Sequence, residues 1–284
     1  MVLVTGAAGK TGTAIIDVMK TDNQSVRALV HRKEQVNRVT AAGAKEAVIG
    51  DMRDRALMYE AMSGMRKVYH ICPNVSPDEL TIGKLAIDAA RENRLDHFVY
   101  HSVLHPQVEM MPHHWLKMRV EEAIFESGLS FTILQPAPYM QNIVAGWEAI
   151  VSSGIYAVPY DEETRLAQVD LGDVAQVALK VLTTPDHAGA VYELCGPEAL
   201  SQIEIAAIIG DRLGIQVNTR QIDRLDWEVQ AKARGLGNYQ IETLLRMFDY
   251  YERFGFIGNS NVINLLLGRR STSFAAFIDG HVQA

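Results

Sequence analysis

The chain has 284 residues, of which 48% are hydrophobic and 21% charged, values typical of a folded globular protein. Its two cysteines, Cys72 and Cys195, are too few for a disulfide framework and favour a reducing compartment, so we expect a cytoplasmic protein. The net charge of −7 comes without a basic run, which argues against a nucleic-acid partner. No apolar run approaches the roughly 20 residues of a membrane-spanning helix, and the short start before the first glycine predicts no signal peptide.

Strand and helix patterns alternate from residue 2 to residue 135. The predicted strands are residues 2–5, 25–30, 45–49, 67–72, 97–102 and 131–135. One helix is predicted to follow the turn at residues 6–9, and further helices are predicted at 34–42, 55–62, 78–92 and 114–127. Asn93 is predicted to be the left-handed cap of the helix at 78–92. This alternation predicts an α/β fold, a Rossmann-type doubly wound parallel sheet with right-handed crossovers.

After about residue 140 the alternation becomes less regular. Helices are predicted at 171–182, 227–234 and 239–254, with one strand at 191–194. A further helix is predicted to begin with a capping box at Ser201 and to end at Gly214. We therefore expect two parts. Residues 1–150 form a dinucleotide-binding domain, and residues 151–284 form a smaller, mainly helical part that completes the sheet edge and forms a substrate cleft.

The sequence TGAAGKTG at residues 5–12 is the strongest local motif, because it joins a predicted strand to a predicted helix. Glycines there let a pyrophosphate approach the backbone, and the helix N-terminus supplies N–H groups and positive potential. The predicted contacts are Thr5, Gly6, Gly9, Lys10, Thr11 and Gly12. The alternative is a tight turn without a ligand. The end of the motif resembles the phosphate loop of nucleotide hydrolases, but that loop needs a glycine where Val4 stands.

The end of the second predicted strand bears on the choice of cofactor. An acidic residue here would accept a hydrogen bond from the ribose 2′-hydroxyl of NAD, whereas a cation suits the 2′-phosphate of NADP. The sequence has Arg32 and Lys33 and no acid before Glu34. We interpret Arg32 as the phosphate contact, with Lys33 assisting, and place Asp51 near the adenine. The alternatives are a solvated basic turn and an ordinary turn or capping aspartate.

With these motifs the chain resembles the NmrA-like branch of the atypical short-chain dehydrogenase/reductases, which includes triphenylmethane-dye reductases, quinone reductases and NADP-sensing regulators. The matching segments are residues 4–12, 27–32, 50–51, 98–102, 127–136, 139–142 and 173–175, with Lys117, Glu121 and Glu122. They cover nearly the whole chain and are specific for the family but not for a substrate. The resemblance implies NADP(H) bound along the sheet edge and a small-molecule pocket under the C-terminal part. Further predicted cofactor contacts are Asp51, Met52, Cys72, Pro73, Lys117 and Pro136.

The chain departs from ordinary short-chain dehydrogenases at the catalytic motif Tyr-x-x-x-Lys. His113 stands four residues before Lys117, in place of the tyrosine, and Gln135 stands where an arginine is common. Lys117 would contact the nicotinamide ribose and stabilise a developing oxyanion. His113, on the same helical face, could supply the proton, and Ser102 could orient substrate or cofactor.

Each of these catalytic predictions has a plainer alternative. Lys117 could only hold the ribose or make a surface pair with Glu121, and His113 could be an exposed residue at a helix start. His101 and His105 have i, i+4 spacing, but Pro106 interrupts a helix and no further ligand completes a set, so we predict no metal site.

Four residues after the sixth predicted strand are candidates for an apolar substrate pocket. They are Tyr139, Met140, Asn142 and Trp147. The alternative is ordinary packing of an amphipathic helix.

The leading hypothesis is an NADPH-dependent reductase of an apolar, aromatic or quinone-like small molecule. A regulator that binds NADP(H) and a partner without turnover, and an enzyme that uses bound NADP for isomerisation, stay open as alternatives. We expect no nucleic-acid or membrane partner, and either a monomer or a homodimer.

Overall fold

A computed structural model describes residues 1–283 of the chain. The strands are β1 (Val2–Val4), β2 (Val26–Val30), β3 (Glu46–Ile49), β4 (Lys67–His70), β5 (His97–His101), β6 (Phe131–Pro136), β7 (Ile155–Val158), β8 (Leu166–Ala167), β9 (Ala190–Leu194), β10 (Ala199–Leu200) and β11 (Asn218–Gln221). The helices are α1 (Lys10–Thr21), α2 (Val36–Ala42), α3 (Arg55–Met62), α4 (Glu79–Glu92), α5 (Pro112–Phe125), α6 (Trp147–Ser153), α7 (Leu171–Thr183), α8 (Gln202–Leu213), α9 (Arg224–Ala233), α10 (Asn238–Phe254), α11 (Asn261–Leu267) and α12 (Phe274–Gln283). Short 3₁₀ helices span Lys33–Gln35 and Met140–Gly146.

The main sheet has seven strands in the order β3-β2-β1-β4-β5-β6-β9. The pairs from β3 to β6 are parallel, and each parallel connection passes through a helix. The order reverses direction beside β1, which pairs with β2 on one side and β4 on the other. The predicted Rossmann-type doubly wound sheet is therefore confirmed, and the carboxyl end of β1 lies at the switch point where such sheets bind ligands.

Two compact units divide the described chain. The first comprises Met1–Gln107, His113–Gln135 and Val174–Tyr192, and the second comprises Val108–Pro112, Pro136–Asp173 and the residues from Glu193 onwards. Residues 136–150 thus group with the second unit, and residues 174–192 group with the first. The division of roles at residue 150 stays a prediction.

The core of the first unit explains why its strands and helices form. Buried side chains of β1, β4 and β5 pack with apolar residues of α3, α4 and α5, including Leu3, Met58, Phe98 and Ile124. All five residues of β5 are buried, although His97 and His101 occupy its ends. Strands covered on both faces need such apolar runs, and burying side chains of this size contributes about 1.5–3 kcal/mol each.

The second unit contains two small sheets that the sequence did not predict. β7 pairs with β11 in parallel, and β8 pairs with β10 in an antiparallel ladder of two residues each. A separate apolar core lies around Met140, Ile205 and Phe274. Among the described residues, no helix is both long and apolar enough to cross a membrane.

The predicted helix ends are close to the observed ones, with one correction. Asn93 has φ −78°, whereas the left-handed residue after α4 is Arg94, with φ +52°. The predicted capping box at Ser201 is present: the Ser201 hydroxyl accepts from the Glu204 N–H, and the Glu204 carboxylate accepts from the Ser201 N–H. Gly214 ends α8 in the left-handed conformation, as expected.

Candidate cofactor site and active site

The glycine turn is shaped by three glycines that have different tasks. Gly6 has φ +57°, and a Cβ there would lie 2.8 Å from the carbonyl oxygen of Ile71. A Cβ at Gly12 would lie 2.6 Å from backbone atoms of Ala7, so Gly12 lets α1 pack against the turn. A Cβ at Gly9 would meet only the Gly6 carbonyl oxygen, at 3.3 Å. Gly6 and Gly12 are therefore required by packing, whereas Gly9 keeps space open at the start of α1.

Gly9 is the N-cap of α1, and it has no side chain to occupy the helix N-terminus. The first N–H groups of a helix point out of its end, and the helix dipole adds positive potential there. Exposed Lys10 begins the helix. A phosphate fits an open, exposed helix start of this kind.

Thr5 connects the end of β1 to β4. Its hydroxyl lies 2.9 Å from Nδ1 of His70, donates to the Ile71 carbonyl oxygen and accepts from the Ile71 N–H. Thr5 is fully buried. Its hydroxyl thus holds the strand ends in place, and direct contact of Thr5 with a cofactor stays a prediction.

Arg32 and Lys33 lie at the end of β2, as predicted, and both are exposed. The side-chain oxygen of Gln35 accepts hydrogen bonds from the backbone N–H groups of His31 and Arg32, which fixes the backbone at this point. Arg32 makes no ion pair within residues 1–283. Its guanidinium is therefore available for an anionic ligand.

Asp51 follows β3 and is held by Arg53. The Arg53 side chain donates to both carboxylate oxygens, and the Arg53 N–H donates to Oδ1. These contacts lower the pKa of Asp51 to about 2. This is the geometry of a turn aspartate, while Asp54 is the residue that caps α3. Contact of Asp51 or the half-buried Met52 with the adenine stays a prediction.

The segment after β4 carries Cys72 and Pro73. Cys72 is buried as a free thiol, and burial raises its pKa. Pro73 is exposed. Val75, two residues further on, has φ +49°, an outlier for a β-branched residue. This segment therefore has a defined and strained backbone at the carboxyl end of the central strand.

Lys117 forms a buried ion pair that the sequence did not predict. Its Nζ lies 3.0 Å from Oε1 of Glu79 and donates to the carbonyl oxygen of His101 at 3.2 Å. The side chains of Lys117 and Glu79 are 13% and 3% exposed. The surface pair with Glu121 considered as an alternative is therefore wrong.

Close packing of α4 against α5 positions this pair. A Cβ on Gly83 would lie 2.7 Å from the side chain of Val120, so only glycine allows the helices to approach here. Glu79 lies one turn before Gly83, and Lys117 lies one turn before Val120. The Gly83–Val120 contact thus brings the carboxylate of one helix to the ammonium of the other.

Glu79 also binds the buried phenol of Tyr100. The Tyr100 hydroxyl donates to Oε1 of Glu79 at 2.7 Å, and Nζ of Lys117 lies 5.3 Å from the centre of the Tyr100 ring. Burial raises the pKa of Tyr100 well above its ordinary value. Tyr100 is 0% exposed, so it serves to fix the ion pair.

His113 lies on α5 one turn before Lys117, as predicted, but it is half-buried rather than exposed. Burial, aided by the charge of Lys117, lowers the pKa of His113 to about 4. The His113 and His114 rings meet edge to face at 4.5 Å. At neutral pH the His113 ring is therefore neutral, which makes it a weak source of protons.

Ser102 follows β5 and bonds a second buried carboxyl group. Its hydroxyl hydrogen-bonds Oε1 of Glu121, and the Gln135 amide donates to both Glu121 oxygens, at 3.0 and 2.9 Å. Ser102 and Glu121 are each 3% exposed. Contact of Ser102 with substrate or cofactor stays a prediction.

The predicted substrate residues lie in the second unit. Met140 is 2% exposed and belongs to its apolar core, Trp147 packs against that core, and Asn142 is exposed. Tyr139 precedes the 3₁₀ helix and forms a bridge with Val169. The buried Pro136 ends β6. Core packing accounts for Met140, and substrate contact by these residues stays a prediction.

Sequence reasoning missed Glu79, Tyr100 and Glu121 as members of the site. A signal for Glu79 was present, because it shares a helical face with Gly83, Ala86 and Ala90, which are all buried. A carboxylate on an otherwise small and apolar face indicates a buried partner. Among the described residues, no group of three or more His, Cys, Asp or Glu side chains is placed to hold a metal ion.

The strand order, with the glycine turn at the first crossover, defines a Rossmann-type α/β protein. The model of the NmrA-like family matches residues 1–275, and the chain belongs to this family. The resemblance inferred from the sequence motifs is thereby confirmed.

Named relatives cover the whole length of the chain. An NAD(P)H azoreductase from Xenophilus azovorans is 27% identical over 286 residues, which are 100% of this chain and 99% of the relative. An NADPH-dependent quinone oxidoreductase from Escherichia coli, solved in complex with NADPH, has a TM-score of 0.85 at 24% identity and 100% coverage of both chains. The triphenylmethane reductase of Citrobacter sp., complexed with NADP(H), has a TM-score of 0.84 at 21% identity and 99% coverage of both.

Proposed function

We propose that this protein is an NADPH-dependent reductase of an apolar, aromatic or quinone-like small molecule. The observation that carries the proposal is the placement of Lys117, a nearly buried ammonium held by Glu79 and by the carbonyl at the end of β5. The full-length azoreductase and quinone oxidoreductase relatives support the same class of reaction.

NADP(H) fits the first unit on two features. Gly9 leaves space at the start of α1 for a pyrophosphate, and Arg32 presents an exposed guanidinium at the end of β2 for a 2′-phosphate. We propose Gly6, Gly9, Lys10, Thr11 and Gly12 as the phosphate turn, with Lys33 assisting Arg32. When bound, NADPH supplies a hydride.

Lys117 supplies positive charge where the reduced substrate develops negative charge. A preorganised charge in a dry site stabilises such an oxyanion more than water does, because it needs no reorganisation. The contacts of Lys117 with Glu79 and His101 restrict its ammonium to one position. Glu79 is thus a positioning residue for Lys117.

The substrate is proposed to be an apolar small molecule bound by residues that include Tyr139, Asn142 and Trp147. A cytoplasmic site of action is part of the proposal, supported by the two buried free thiols, Cys72 and Cys195. Subcellular fractionation tests this location, and recovery in a membrane or secreted fraction would contradict it.

The test measures NADPH binding by calorimetry and NADPH oxidation by absorbance. The panel holds quinones, azo dyes and triphenylmethane dyes, with NADH as the alternative cofactor. We expect NADPH to bind and at least one compound class to be reduced. Binding without turnover on the whole panel would overturn the reductase proposal and favour a sensing role, and reduction with NADH alone would overturn the cofactor assignment.

A further inference from the structure

An open cavity of about 320 Å³ lies at the amino ends of three strands of the main sheet. On one wall, Lys67 begins β4, His97 begins β5 and Ser130 directly precedes β6. The other wall comes from the end of α7 and the loop after it, at residues 181 and 184–188. All of these residues belong to the first unit. Sites for small organic molecules usually have volumes of about 300–1,000 Å³, so the cavity has room for one.

This cavity is separate from the proposed cofactor site. The glycine turn follows the carboxyl end of β1, and β1 runs parallel to β4. Parallel strands have their amino ends at one edge of a sheet and their carboxyl ends at the other. A ligand in the cavity therefore lies at the edge opposite the one proposed to bind NADP(H).

Lys67 brings a half-buried ammonium group to the cavity. Its Nζ donates to the carbonyl oxygen of Leu182 in α7, and Lys67 takes part in no ion pair within residues 1–283. An ammonium has three N–H donors, so two are left for a ligand. A partly desolvated cation without a counter-charge favours an anionic ligand.

The other charged side chains of the cavity do not neutralise Lys67. Arg66 and Asp96 pair with each other at 2.6 Å, so their charges cancel. Asp186 is exposed, and water and salt screen its charge. Lys67 therefore carries the charge that is costly to leave without a partner.

The hydrogen bonds of His97 are satisfied within the protein. The Thr132 hydroxyl donates to the carbonyl oxygen of His187 at 2.7 Å, so it must accept from Nε2 of His97, at 2.9 Å. Burial lowers the pKa of His97 to about 4, and its ring is neutral at neutral pH. Nδ1 of the neutral ring then accepts from the Ser130 hydroxyl, at 2.9 Å. Neither His97 nor the Ser130 hydrogen is available to hold an anion.

His187 is fixed in the same way on the opposite wall. The Thr184 hydroxyl donates to the carbonyl oxygen of Lys180 at 2.8 Å, so it accepts from Nε2 of His187, at 3.0 Å. Nδ1 of His187 lies 3.0 Å from the Tyr192 hydroxyl. Burial lowers the pKa of His187, which keeps its ring neutral at neutral pH. The polar groups of both walls are therefore held in place before a ligand arrives, with the Lys67 ammonium left to bind one.

Apolar side chains complete the wall that faces the strands. Val181, Pro185 and Ala188 line the cavity there. Such a surface gains free energy when a hydrocarbon group covers it. The cavity thus combines one half-buried cation with an apolar surface.

We propose that this cavity is a second ligand site, which binds a small organic carboxylate through the Lys67 ammonium and the apolar part of that ligand against Val181 and Pro185. The inference does not depend on the proposed reductase function. A carboxylate carries one negative charge, which matches the single half-buried cation. A phosphate group carries more than one at neutral pH and would leave part of its charge without a partner near Asp96 and Asp186.

The first test compares three probes on the wild-type protein. Ring-¹³C-histidine is incorporated, and the His187 resonance is identified by its loss in His187→Gln. We expect benzoate to shift this resonance and to saturate it below about 10 mM, with NADPH present or absent. Benzylamine, which has the same ring and a positive charge, should leave the resonance unshifted, and acetate, which lacks the ring, should bind at least about tenfold more weakly.

Three results would overturn the proposal. One is the absence of a saturable shift with benzoate. Another is a shift with benzylamine as large as that with benzoate, which would show that the carboxylates dominate the cavity. The third is loss of the benzoate shift when NADPH is added, which would place the anion in the cofactor site. Equal affinities for acetate and benzoate would overturn the apolar contact.

The second test changes the cation. Lys67→Met should weaken benzoate binding by at least about tenfold, because it removes a charge-assisted contact. Lys67→Arg should retain most of the binding. Lys84→Met, the same substitution at an exposed lysine of α4, is the matched control and should bind as wild type does. Circular dichroism checks each fold, since Lys67 also bonds the Leu182 carbonyl.

A folded Lys67→Met variant that binds benzoate like wild type would overturn the proposal, as would an equal loss in Lys84→Met. If Lys67→Met does not fold, the comparison of benzoate with benzylamine on the wild type still decides the sign of the charge that the cavity binds. Activity with NADPH enters neither test. The proposed reductase function can therefore fail while this site stands, and the reverse also holds.

Discussion

Nζ of Lys117 lies 3.0 Å from Oε1 of Glu79, and both side chains are almost completely removed from solvent. Breaking a buried pair by removing one partner leaves an uncompensated charge and costs about 3–5 kcal/mol. The pair therefore links the stability of the α4–α5 contact to the position of the proposed catalytic ammonium. Both properties can be measured separately.

The first prediction concerns stability. Glu79→Gln should destabilise the protein by about 3 kcal/mol, because it leaves the Lys117 ammonium without its counter-charge. Chemical denaturation measures this change. The double variant with Lys117→Met, which removes both charges, should recover part of the loss. If the losses of stability in Glu79→Gln alone and in Lys117→Met alone add up to the loss in the double variant, Glu79 and Lys117 are not coupled.

The second prediction separates catalysis from cofactor binding. Lys117→Met should lower kcat by about 10²–10³-fold if its charge stabilises the transition state, whereas loss of one ribose hydrogen bond should weaken NADPH binding by only about 1 kcal/mol. Steady-state kinetics and calorimetry provide the two values. Glu79→Gln with Lys117→Met serves as the control for damage caused by an unpaired carboxylate. Weaker NADPH binding with an unchanged kcat would place Lys117 in cofactor binding alone.

The third prediction concerns cofactor choice. NADPH should bind at least about tenfold more tightly than NADH, a difference of about 1.4 kcal/mol, because Arg32 can pair with a 2′-phosphate. Arg32→Ala should remove most of that difference. Arg38→Ala, which deletes an exposed arginine from α2, should leave it unchanged. Equal affinities of the wild type for both cofactors would exclude Arg32 from this role.

The fourth prediction uses the different surroundings of the glycines. Gly9→Val should abolish NADPH binding with the fold retained, since its side chain would enter the space kept open at the start of α1. Gly12→Ala should instead damage the fold, because its Cβ would lie 2.6 Å from backbone atoms. Gly280→Val is the control, as a Cβ there meets nothing within 4 Å. Circular dichroism and calorimetry distinguish the three, and normal binding by a folded Gly9→Val variant would place the phosphate elsewhere.

The fifth prediction concerns acid stability. Burial lowers the pKa of His70 and His101 to about 3 and that of His113 to about 4. The unfolded chain takes up protons at these histidines near pH 6.5, whereas the folded protein does not until far lower pH. The buried neutral histidines therefore contribute their full stabilisation above about pH 6.5, and this stabilisation is lost as pH falls towards 4.

Urea unfolding over a pH series measures this loss. In His101→Gln, a side chain that does not titrate replaces the buried imidazole. The free energy of unfolding of this variant should fall less steeply with decreasing pH than that of wild type. The free energy of unfolding of His31→Gln, a variant at an exposed position, should fall with pH as steeply as that of wild type. A flat wild-type profile between about pH 6.5 and 4 would contradict the burial of neutral histidines.

The sequence predicted the first six strands because they are short runs, rich in apolar residues, that alternate with amphipathic helices. The same reasoning missed β8 and β10, which contain two residues each and exist only through their pairing. Local patterns cannot predict a strand whose hydrogen bonds come from residues far away in the chain.

The sequence predicted those parts of the candidate site that depend on backbone geometry. It did not predict contacts between side chains of different helices. Gly6, Gly9 and Arg32 follow from spacing after a strand. Glu79 was missed because a glutamate in the first turn of a helix normally complements the dipole in solvent. The small, apolar face that Glu79 shares with Gly83 was a signal in the sequence, and the close approach of α5 at Gly83 shows that this first turn is enclosed.

The position of β1 in the middle of the sheet sets an order for chain synthesis. β1 directly precedes the glycine turn, but its neighbour β4 and the Thr5–His70 hydrogen bond involve a partner 65 residues further along. Loop closure over such a distance delays folding, and nascent chains fold only with the residues that have emerged. The glycine turn is thus synthesised well before β4 and reaches its final shape only after β4 has followed.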